Sequence, residues 1–139
     1  MPRDERAHVS LEFTVYGQPQ PQGSTRAFIP KGWSRPIITA ANSKTKPWRQ
    51  EIAGTVIPLM QSRSLITGPI ILKLRFFFER PKSVKQCVQC KTTKPDLDKL
   101  IRSVADALTG VVFKDDSQIV GIDAGKFFGS PARVEVEIS

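Results

Sequence analysis

The stretch from Pro95 to Asp116 leaves its own chain little choice of local structure. Leu97, Leu100, Ile101, Val104, Ala105 and Leu108 recur at the i, i+3, i+4, i+7 spacing of a helix with one apolar face, and Gly110 supplies a C-terminal stop. A helix patterned this way must lay that face on a sheet or on another helix. Its two ends carry a different message. Pro95-Asp96-Leu97-Asp98 leads into it, Lys114-Asp115-Asp116 follows it, and Asp106 lies on its body. Seven of the chain's 13 acidic residues are aspartates, and five of those seven fall in this window, although the formal net charge is +8. A basic chain that gathers its aspartates in one place points to a divalent cation held beside a polyanion.

At 139 residues the chain is long enough for one domain with its own core. A pI near 9.9 fits nucleic acid or an anionic membrane surface as partner, and fits plain solubility too. The basic residues are spread along the chain, so charge by itself only leans toward nucleic acid. Met1-Pro2-Arg3-Asp4-Glu5-Arg6 is charged and leads into no apolar core, unlike a signal peptide. The most apolar run, Gly68 to Phe78, is broken by Lys73 and Arg75 and cannot span a bilayer. Two cysteines are too few for a disulfide framework. The expectation is a soluble protein of the cytoplasm with no membrane partner.

Val9, Leu11, Phe13 and Val15 alternate with polar neighbours up to Gly17, the pattern of a half-buried strand. Gln18-Pro19-Gln20-Pro21-Gln22-Gly23 then opens a long extended loop, because proline removes backbone donors. Further along, Phe28 and Trp33 stand between Arg26, Lys31 and Arg35. That interleaving suits a nucleic-acid surface, or equally a loop packed under its own aromatics. Residues 45–62 predict a helix entered at Thr45-Lys46-Pro47, with Trp48, Ile52, Val56 and Met60 as its stripe. Pro58 should kink it or end it early.

Next comes the cleanest strand, in which Ile70, Leu72, Leu74, Phe76 and Phe78 face one way and Lys73, Arg75 and Glu79 the other. The loop from Arg80 to Lys94 holds Arg80, Lys82, Lys85, Lys91 and Lys94 and no acid, so it reads as an arm that contacts phosphate. Beyond the central helix, Ile119, Val120 and Ile122 predict a third strand and Phe127-Phe128-Gly129-Ser130-Pro131 a turn. A last strand runs from Arg133 to Ile138 with Val134, Val136 and Ile138 inward. The fold expected is a single α+β (mixed α/β) domain over residues 9–139, after a flexible tail of residues 1–8. It has a mixed sheet of about four strands carrying two main helices.

In an extended entry to the helix, Asp96 and Asp98 lie on the same side of Leu97 and can converge. One aspartate at a helix N-terminus needs no further reason, since capping and the helix dipole both favour it. Two, with an Asp-Asp pair beyond the helix, ask for more. Like charges about 4 Å apart repel by roughly 4 kcal/mol near a protein surface, so convergence needs a counter-charge. Mg²⁺ is hard, takes carboxylate oxygens and keeps waters that can be activated. Arg102 follows Asp98 by four residues and Asp106 follows by four more. They make either surface salt bridges worth a few tenths of a kcal/mol, or a cation beside a scissile phosphate.

Pro95-Asp96-Leu97-Asp98-Lys99-Leu100, then Asp106-Ala107-Leu108-Thr109-Gly110, then Lys114-Asp115-Asp116-Ser117-Gln118-Ile119 resembles the signature of the RusA family of Holliday-junction resolvases. Val15-Tyr16-Gly17-Gln18-Pro19 is similar to the family's first strand and turn, and Trp48 falls where its first helix would be, so the likeness covers nearly the whole chain. The resemblance implies a small homodimeric endonuclease, of a kind often encoded by phages and prophages. Such an enzyme nicks four-way DNA junctions symmetrically with Mg²⁺, for which Mn²⁺ can substitute, in the cytoplasm of a bacterial or infected host cell. It also implies that Asp96, Asp98 and Asp116 are the catalytic carboxylates and metal ligands, with Asp115 and Asp106 at positions that are commonly acidic.

Arg102 stands where the family has a functional lysine, and a guanidinium is effectively never deprotonated. Lys99 stands where the family has Asn, nearly one turn away, and could supply the ammonium instead. Gln22 and Ser24 replace more basic residues, which leaves Arg26 as the phosphate contact of the early loop. Lys82, Lys85, Lys91, Lys94, Lys99 and Lys114 would grip the DNA backbone.

Two rival readings are an endonuclease for flaps, forks or other branched DNA, and a branched-DNA-binding protein that no longer cuts. Cys87 and Cys90 form a C-x₂-C, half of a tetrahedral zinc site, and the one histidine, His8, is remote in sequence. Two reduced cysteines in a loop are the favoured reading, but a two-fold dimer whose arms met could build a Cys₄ structural zinc site.

Overall fold

The computed structural model describes residues 11–22, 25–29, 31–32, 34, 37–40 and 43–139, with residues 25–28 and 37–40 described by backbone only. The tail expected over residues 1–8, the start of the first strand at Val9, and Trp33 and Arg35 lie outside the described residues.

Burial alternates without a break over Ile70–Phe78, the longest such stripe among the described residues, and this strand, β4, occupies the sheet interior. Ile70, Leu72, Leu74, Phe76 and Phe78 are all buried, and Lys73 and Glu79 are exposed, as the period-2 pattern requires. β4 pairs antiparallel with β6 (Arg133–Ile138) and parallel with β5 (Ile119–Phe128). β1 (Leu11–Tyr16) pairs antiparallel with the far side of β6, so the order is β1-β6-β4-β5. The parallel pair is possible because a helix, α2 (Leu97–Leu108), forms the crossover between β4 and β5.

α1 (Thr45–Val56) buries Trp48, Ile52 and Val56, and α2 buries Leu100, Val104 and Leu108. Both helices join the core formed by the buried faces of β4, β6 and β1. The opposite face of the sheet carries Glu12, Thr14, Lys73, Arg75, Glu135 and Glu137 around an open groove. The chain is thus an α+β domain with a mixed four-stranded sheet and two helices, as expected from the sequence. Among the described residues no helix is long and apolar enough to cross a membrane.

Pro58 ends its helix early, as expected, and two other local expectations are revised. The helix predicted over residues 45–62 stops at Val56, where Pro58 turns the chain into a short 3-10 segment, Ile57–Met60; Met60 still joins the stripe. Phe127 and Phe128 belong to β5 rather than to a turn, because β5 keeps pairing with β4 as far as Phe78. The chain turns only at residues 129–132, where the Gly129 N–H donates to the Phe78 carbonyl at 2.9 Å. The long loop after β1 contains a two-stranded hairpin, β2 (Thr25–Phe28) with β3 (Ile37–Ala40), paired antiparallel. Its strands are four residues each, too short for alternation to mark them.

Candidate functional site

α2 starts from Asp96, whose backbone is extended (φ −69, ψ 138) and whose carbonyl accepts from the Leu100 N–H at 3.1 Å. Its carboxylate makes no capping hydrogen bond. The capping role open to an aspartate at this position is therefore not in use. Asp98, in the first turn, is exposed like Asp96, and among the described residues neither carboxylate has a hydrogen-bond or ion-pair partner. Both sit at the positive end of the α2 dipole, where negative charge is favoured.

Two features hold this end of α2 in place. Lys126, on the helix-facing side of β5 opposite buried Phe76, reaches across and donates to the carbonyls of Thr93 (2.7 Å) and Pro95 (2.8 Å). The entry loop is tied on the other side, where the Gln22 N–H donates to the Lys99 carbonyl at 2.9 Å and the Thr45 hydroxyl donates to the Pro21 carbonyl at 2.6 Å. Between them lies a groove lined by Gln18, Gln20 and Pro21 and by Lys94, Asp96 and Lys99. Two ammonium groups thus flank one carboxylate in a concavity open to solvent, which suits an anion approaching a cation. Arg102, one turn beyond Asp98, is exposed and has no ion-pair partner among the described residues. The i, i+4 bridge between Arg102 and Asp106 does not form; Asp106 pairs instead with Arg49 of α1 at 3.7 Å and links the two helices.

At the far end of α2 the chain turns through Gly110 (φ 82) to the Asp115-Asp116 pair. Gln118 organises this turn. Its side-chain oxygen accepts from the backbone N–H groups of Lys114 (3.0 Å) and Asp115 (2.9 Å). Its amide nitrogen donates to the carbonyls of Ile66 (2.8 Å) and Gly68 (3.0 Å), fastening the turn to the entry of β4. The Asp115 carboxylate accepts a short hydrogen bond from the Ser117 hydroxyl, which holds its pKa below the ordinary 3.8, with the backbone N–H groups of Ser117 and Asp116 adding to the effect. Asp115 is occupied in shaping the turn, whereas Asp116 is exposed and has no partner among the described residues.

The two ends are not brought together within one chain. From Asp98 to Leu108 the helix advances ~15 Å. Lys126, which touches Pro95, lies seven residues and ~23 Å along β5 from Ile119, just past Asp116. Among the described residues no three of the His, Cys, Asp and Glu side chains are grouped so as to hold a metal. Within one chain Asp116 therefore stands apart from Asp96 and Asp98. Sequence proximity misleads here because a full helix separates the two clusters.

The basic arm, residues 80–94, is ordered along the outer edge of β5. The Phe128 N–H donates to the Gln89 carbonyl (3.0 Å), the Lys91 N–H donates to the Lys126 carbonyl (3.3 Å), and Cys90 bridges Phe127. Arg80 serves the arm itself, donating to the carbonyls of Lys85 and Val88 and lying 5.2 Å from the Phe128 ring. The Lys91 ammonium stacks on Phe78 and Phe128 and donates to the Thr93 hydroxyl, so part of its charge is spent inside the arm. Lys82, Lys85 and Lys94 are exposed, and so is Lys114 beside the Asp115-Asp116 turn. Arg26 stands on β2, and its side chain lies outside the described residues. Cys87 and Cys90 are both free and exposed.

Lys126 and Gln118 had no role in the sequence reading. An isolated lysine on a strand reads as a solvated face until the pairing register puts it on the helix side. Two of the four side-chain hydrogen bonds of Gln118 reach residues about 50 positions earlier in the chain.

Comparison with known proteins agrees with the resemblance. Residues 16–139 match the family described as Endodeoxyribonuclease RusA. The uncharacterized protein YqaN of Bacillus subtilis (strain 168) is 35% identical over 138 residues, covering 92% of this chain and 94% of that protein. The protein of Lactococcus phage r1t named crossover junction endodeoxyribonuclease rusA is 39% identical over 72 residues, covering 51% of this chain and 54% of that protein.

Proposed function

The chain belongs to the RusA endodeoxyribonuclease family, and from that premise we propose that it is a Mg²⁺-dependent resolvase that nicks four-way DNA junctions in pairs as a homodimer. The observation that carries this reading is the Asp96 carboxylate, placed where a cap would form yet making none, beside Asp98, both without a partner among the described residues. Exposed carboxylate oxygens are a hard donor set that suits Mg²⁺ or Mn²⁺. Asp96 and Asp98 would hold the metal together with Asp116 of a second chain, since Asp116 of the same chain is too far away. When bound, the metal would lower the pKa of a water and offset negative charge on the phosphate.

The chain's own residues do the rest. Lys94 and Lys99 line the groove beside Asp96 and hold the DNA backbone there by charge. Arg102 projects from the next turn after Asp98 and stands against charge that develops on the phosphate; as a guanidinium it donates hydrogen bonds but gives up no proton. Lys126 keeps the backbone before Asp96 fixed, so the carboxylate pair meets its ligand already oriented.

The test uses a labelled four-way junction and a linear duplex, with Mg²⁺ and with EDTA. Paired nicks in the junction with Mg²⁺ alone are expected. Binding without nicks would sink the claim, and faster cutting of flaps or forks would move the substrate assignment. Sharing of carboxylates is tested by mixing inactive Asp98→Asn and Asp116→Asn chains. In a two-fold dimer with shared sites, random pairing makes half the dimers mixed, each with one intact site, so about a quarter of wild-type sites return. Sites built within one chain would return none.

A further inference from the structure

We propose that the open face of the sheet carries a stacking platform for unpaired DNA bases, a row formed by Tyr16, Arg133, Phe77 and Phe127. The platform binds single-stranded DNA and stands independently of the metal reading, since none of its residues belongs to the carboxylate site.

Pairing register puts the four residues in line. Tyr16 of β1 lies beside Arg133 of β6, Arg133 beside Phe77 of β4, and Phe77 beside Phe127 of β5. Neighbours in a ladder share a face, and this face is turned away from the helices, because Phe76 and Lys126 of the adjoining row point toward them. Three strand-to-strand steps of ~4.8 Å make the row roughly 14 Å long. The contacts match the register. The Arg133 guanidinium lies 4.0 Å from the centre of the Phe77 ring, and the Phe77 and Phe127 rings are 5.7 Å apart.

Glycines let two of these rings lie down on the sheet. A Cβ at Gly125 would come within 2.7 Å of Phe127 Cζ, and one at Gly129 within 2.7 Å of Phe77 Cδ1. No side chain stands there, so each ring rests against strand backbone and is half-buried. Shielding of the backbone accounts for Phe77 and Phe127. It does not account for Tyr16, which is 64% exposed and has no hydrogen-bond or ring partner among the described residues. A level row of rings and a guanidinium is the surface on which unstacked bases are held.

Charge picks out this end of the face. Four residues back along β4 and β5, the corresponding row is Glu12, Glu137, Lys73 and Asp123, three acids and one lysine. A nucleic-acid strand is repelled there and not at the aromatic row, whose one charge is Arg133. The acids nearest that row are engaged: Glu135 with Arg133 at 3.0 Å, and Glu79 with the Ser130 hydroxyl and the Ala132 N–H, both at 3.2 Å. Arg133 also donates to the Pro131 carbonyl at 2.8 Å, while its Nη2 has no partner among the described residues and is left for a phosphate or a base edge. Beyond Gly129 the face runs into a hollow of about 410 Å³ whose lining includes Arg80 and the exposed Lys82, cations for the backbone of a bound strand.

Position agrees with this reading. Phe127 follows Lys126, which bonds the Pro95 carbonyl just before Asp96, so platform and carboxylates stand at the same end of the sheet on opposite faces. DNA gripped at the carboxylate groove therefore has the platform within reach of an unpaired strand.

The test measures binding of labelled oligothymidylate, and of a duplex of equal length, in buffer without divalent metal. Wild type is compared with a Tyr16→Leu, Phe127→Leu double variant, in which leucine keeps the apolar cover and removes the ring faces. Wild type is expected to bind oligothymidylate, and the double variant to bind it at least tenfold more weakly. Duplex affinity and the circular dichroism spectrum should not change. Tyr16→Phe, which keeps the ring, should bind like wild type. With 5-iodouridine in the strand, photo-cross-links should map to Tyr16 or Phe127. If the double variant misfolds, Tyr16→Leu alone serves, since its side chain stands mostly in water, with a loss of about fivefold.

Equal affinity of wild type and the leucine variants for oligothymidylate overturns the platform, and so does an equal loss for duplex. Cross-links confined to other residues overturn it as well and leave this face to a protein partner. The two readings fail separately. A chain that holds oligothymidylate through Tyr16 yet never nicks a junction in Mg²⁺ loses only the resolvase reading, and one that nicks junctions but is indifferent to the leucines loses only the platform.

Discussion

Lys126 gives the sharpest test of how the fold aims its carboxylates. Lys126→Met keeps most of the half-buried stem and removes the ammonium that bonds the Thr93 and Pro95 carbonyls at 2.7 and 2.8 Å. Hydrogen bonds to a charged group contribute about 1.5–3 kcal/mol each. One of the two is exposed and the other only part-buried, so solvent screening reduces the pair to about 2 kcal/mol. An unfolding entropy of ~2.1 cal/mol/K per residue, taken over 139 residues, makes that a fall of ~7 °C in Tm. If the loss is local instead, the same 2 kcal/mol raises amide exchange through residues 93–98 about 30-fold. Junction binding should change little, because phosphate contacts dominate affinity, while the nicking rate falls at least tenfold. Lys126→Arg, which keeps charge and donors, should recover most of the rate. If Lys126→Met leaves Tm, exchange and rate together at wild-type values, the ammonium does not position Asp96 and the reasoning fails.

Three further outcomes follow from named contacts. The Asp115 pKa is depressed chiefly by the Ser117 hydroxyl, so this carboxylate stabilises the folded turn above its unfolded pKa and loses that effect as pH falls through the folded value. Ser117→Ala should return the pKa toward 3.8, read by carboxyl NMR, and move the acid-unfolding midpoint to higher pH. Arg102→Lys should raise turnover if a transferable proton is wanted beside the phosphate; unchanged turnover across pH would assign Arg102 to charge alone. Cys87 and Cys90 are exposed in the arm, and one chain's pair supplies only two of the four ligands of a tetrahedral zinc site. Protein purified without chelator should then contain no stoichiometric zinc, and one zinc per dimer would show that the arms of two chains meet.

Most of the scaffold was legible because it rests on strict periodicity. The alternation of β4 and of β6, and the i, i+4 stripe of α2, all place their buried residues where the pattern puts them. The β2–β3 hairpin was not legible, since four-residue strands are shorter than a period-2 pattern needs. The end of β5 was missed for a different reason. Phe127-Phe128-Gly129-Ser130-Pro131 carries turn residues, but parallel pairing with Phe77 and Phe78 holds the two phenylalanines in the sheet. At the candidate site, the sequence singles out Asp96, Asp98 and Asp116 by residue type and spacing, whereas Lys126 and Gln118 act through contacts that depend on strand register and long-range docking.

The five aspartates of the central window divide into three kinds once their partners are known. Asp106 links the two helices through Arg49, and Asp115 shapes the turn with Ser117. Asp96, Asp98 and Asp116 are left exposed with no partner among the described residues, two at one end of a twelve-residue helix and one beyond the other. On the proposed reading, three carboxylates split in this way make half a site at each end of one molecule, and a second chain that supplies the missing halves would close both sites in a single association. Activity per chain would then fall with dilution below the dimer dissociation constant. Activity per chain that stayed constant well below that constant would show that one chain completes its own site.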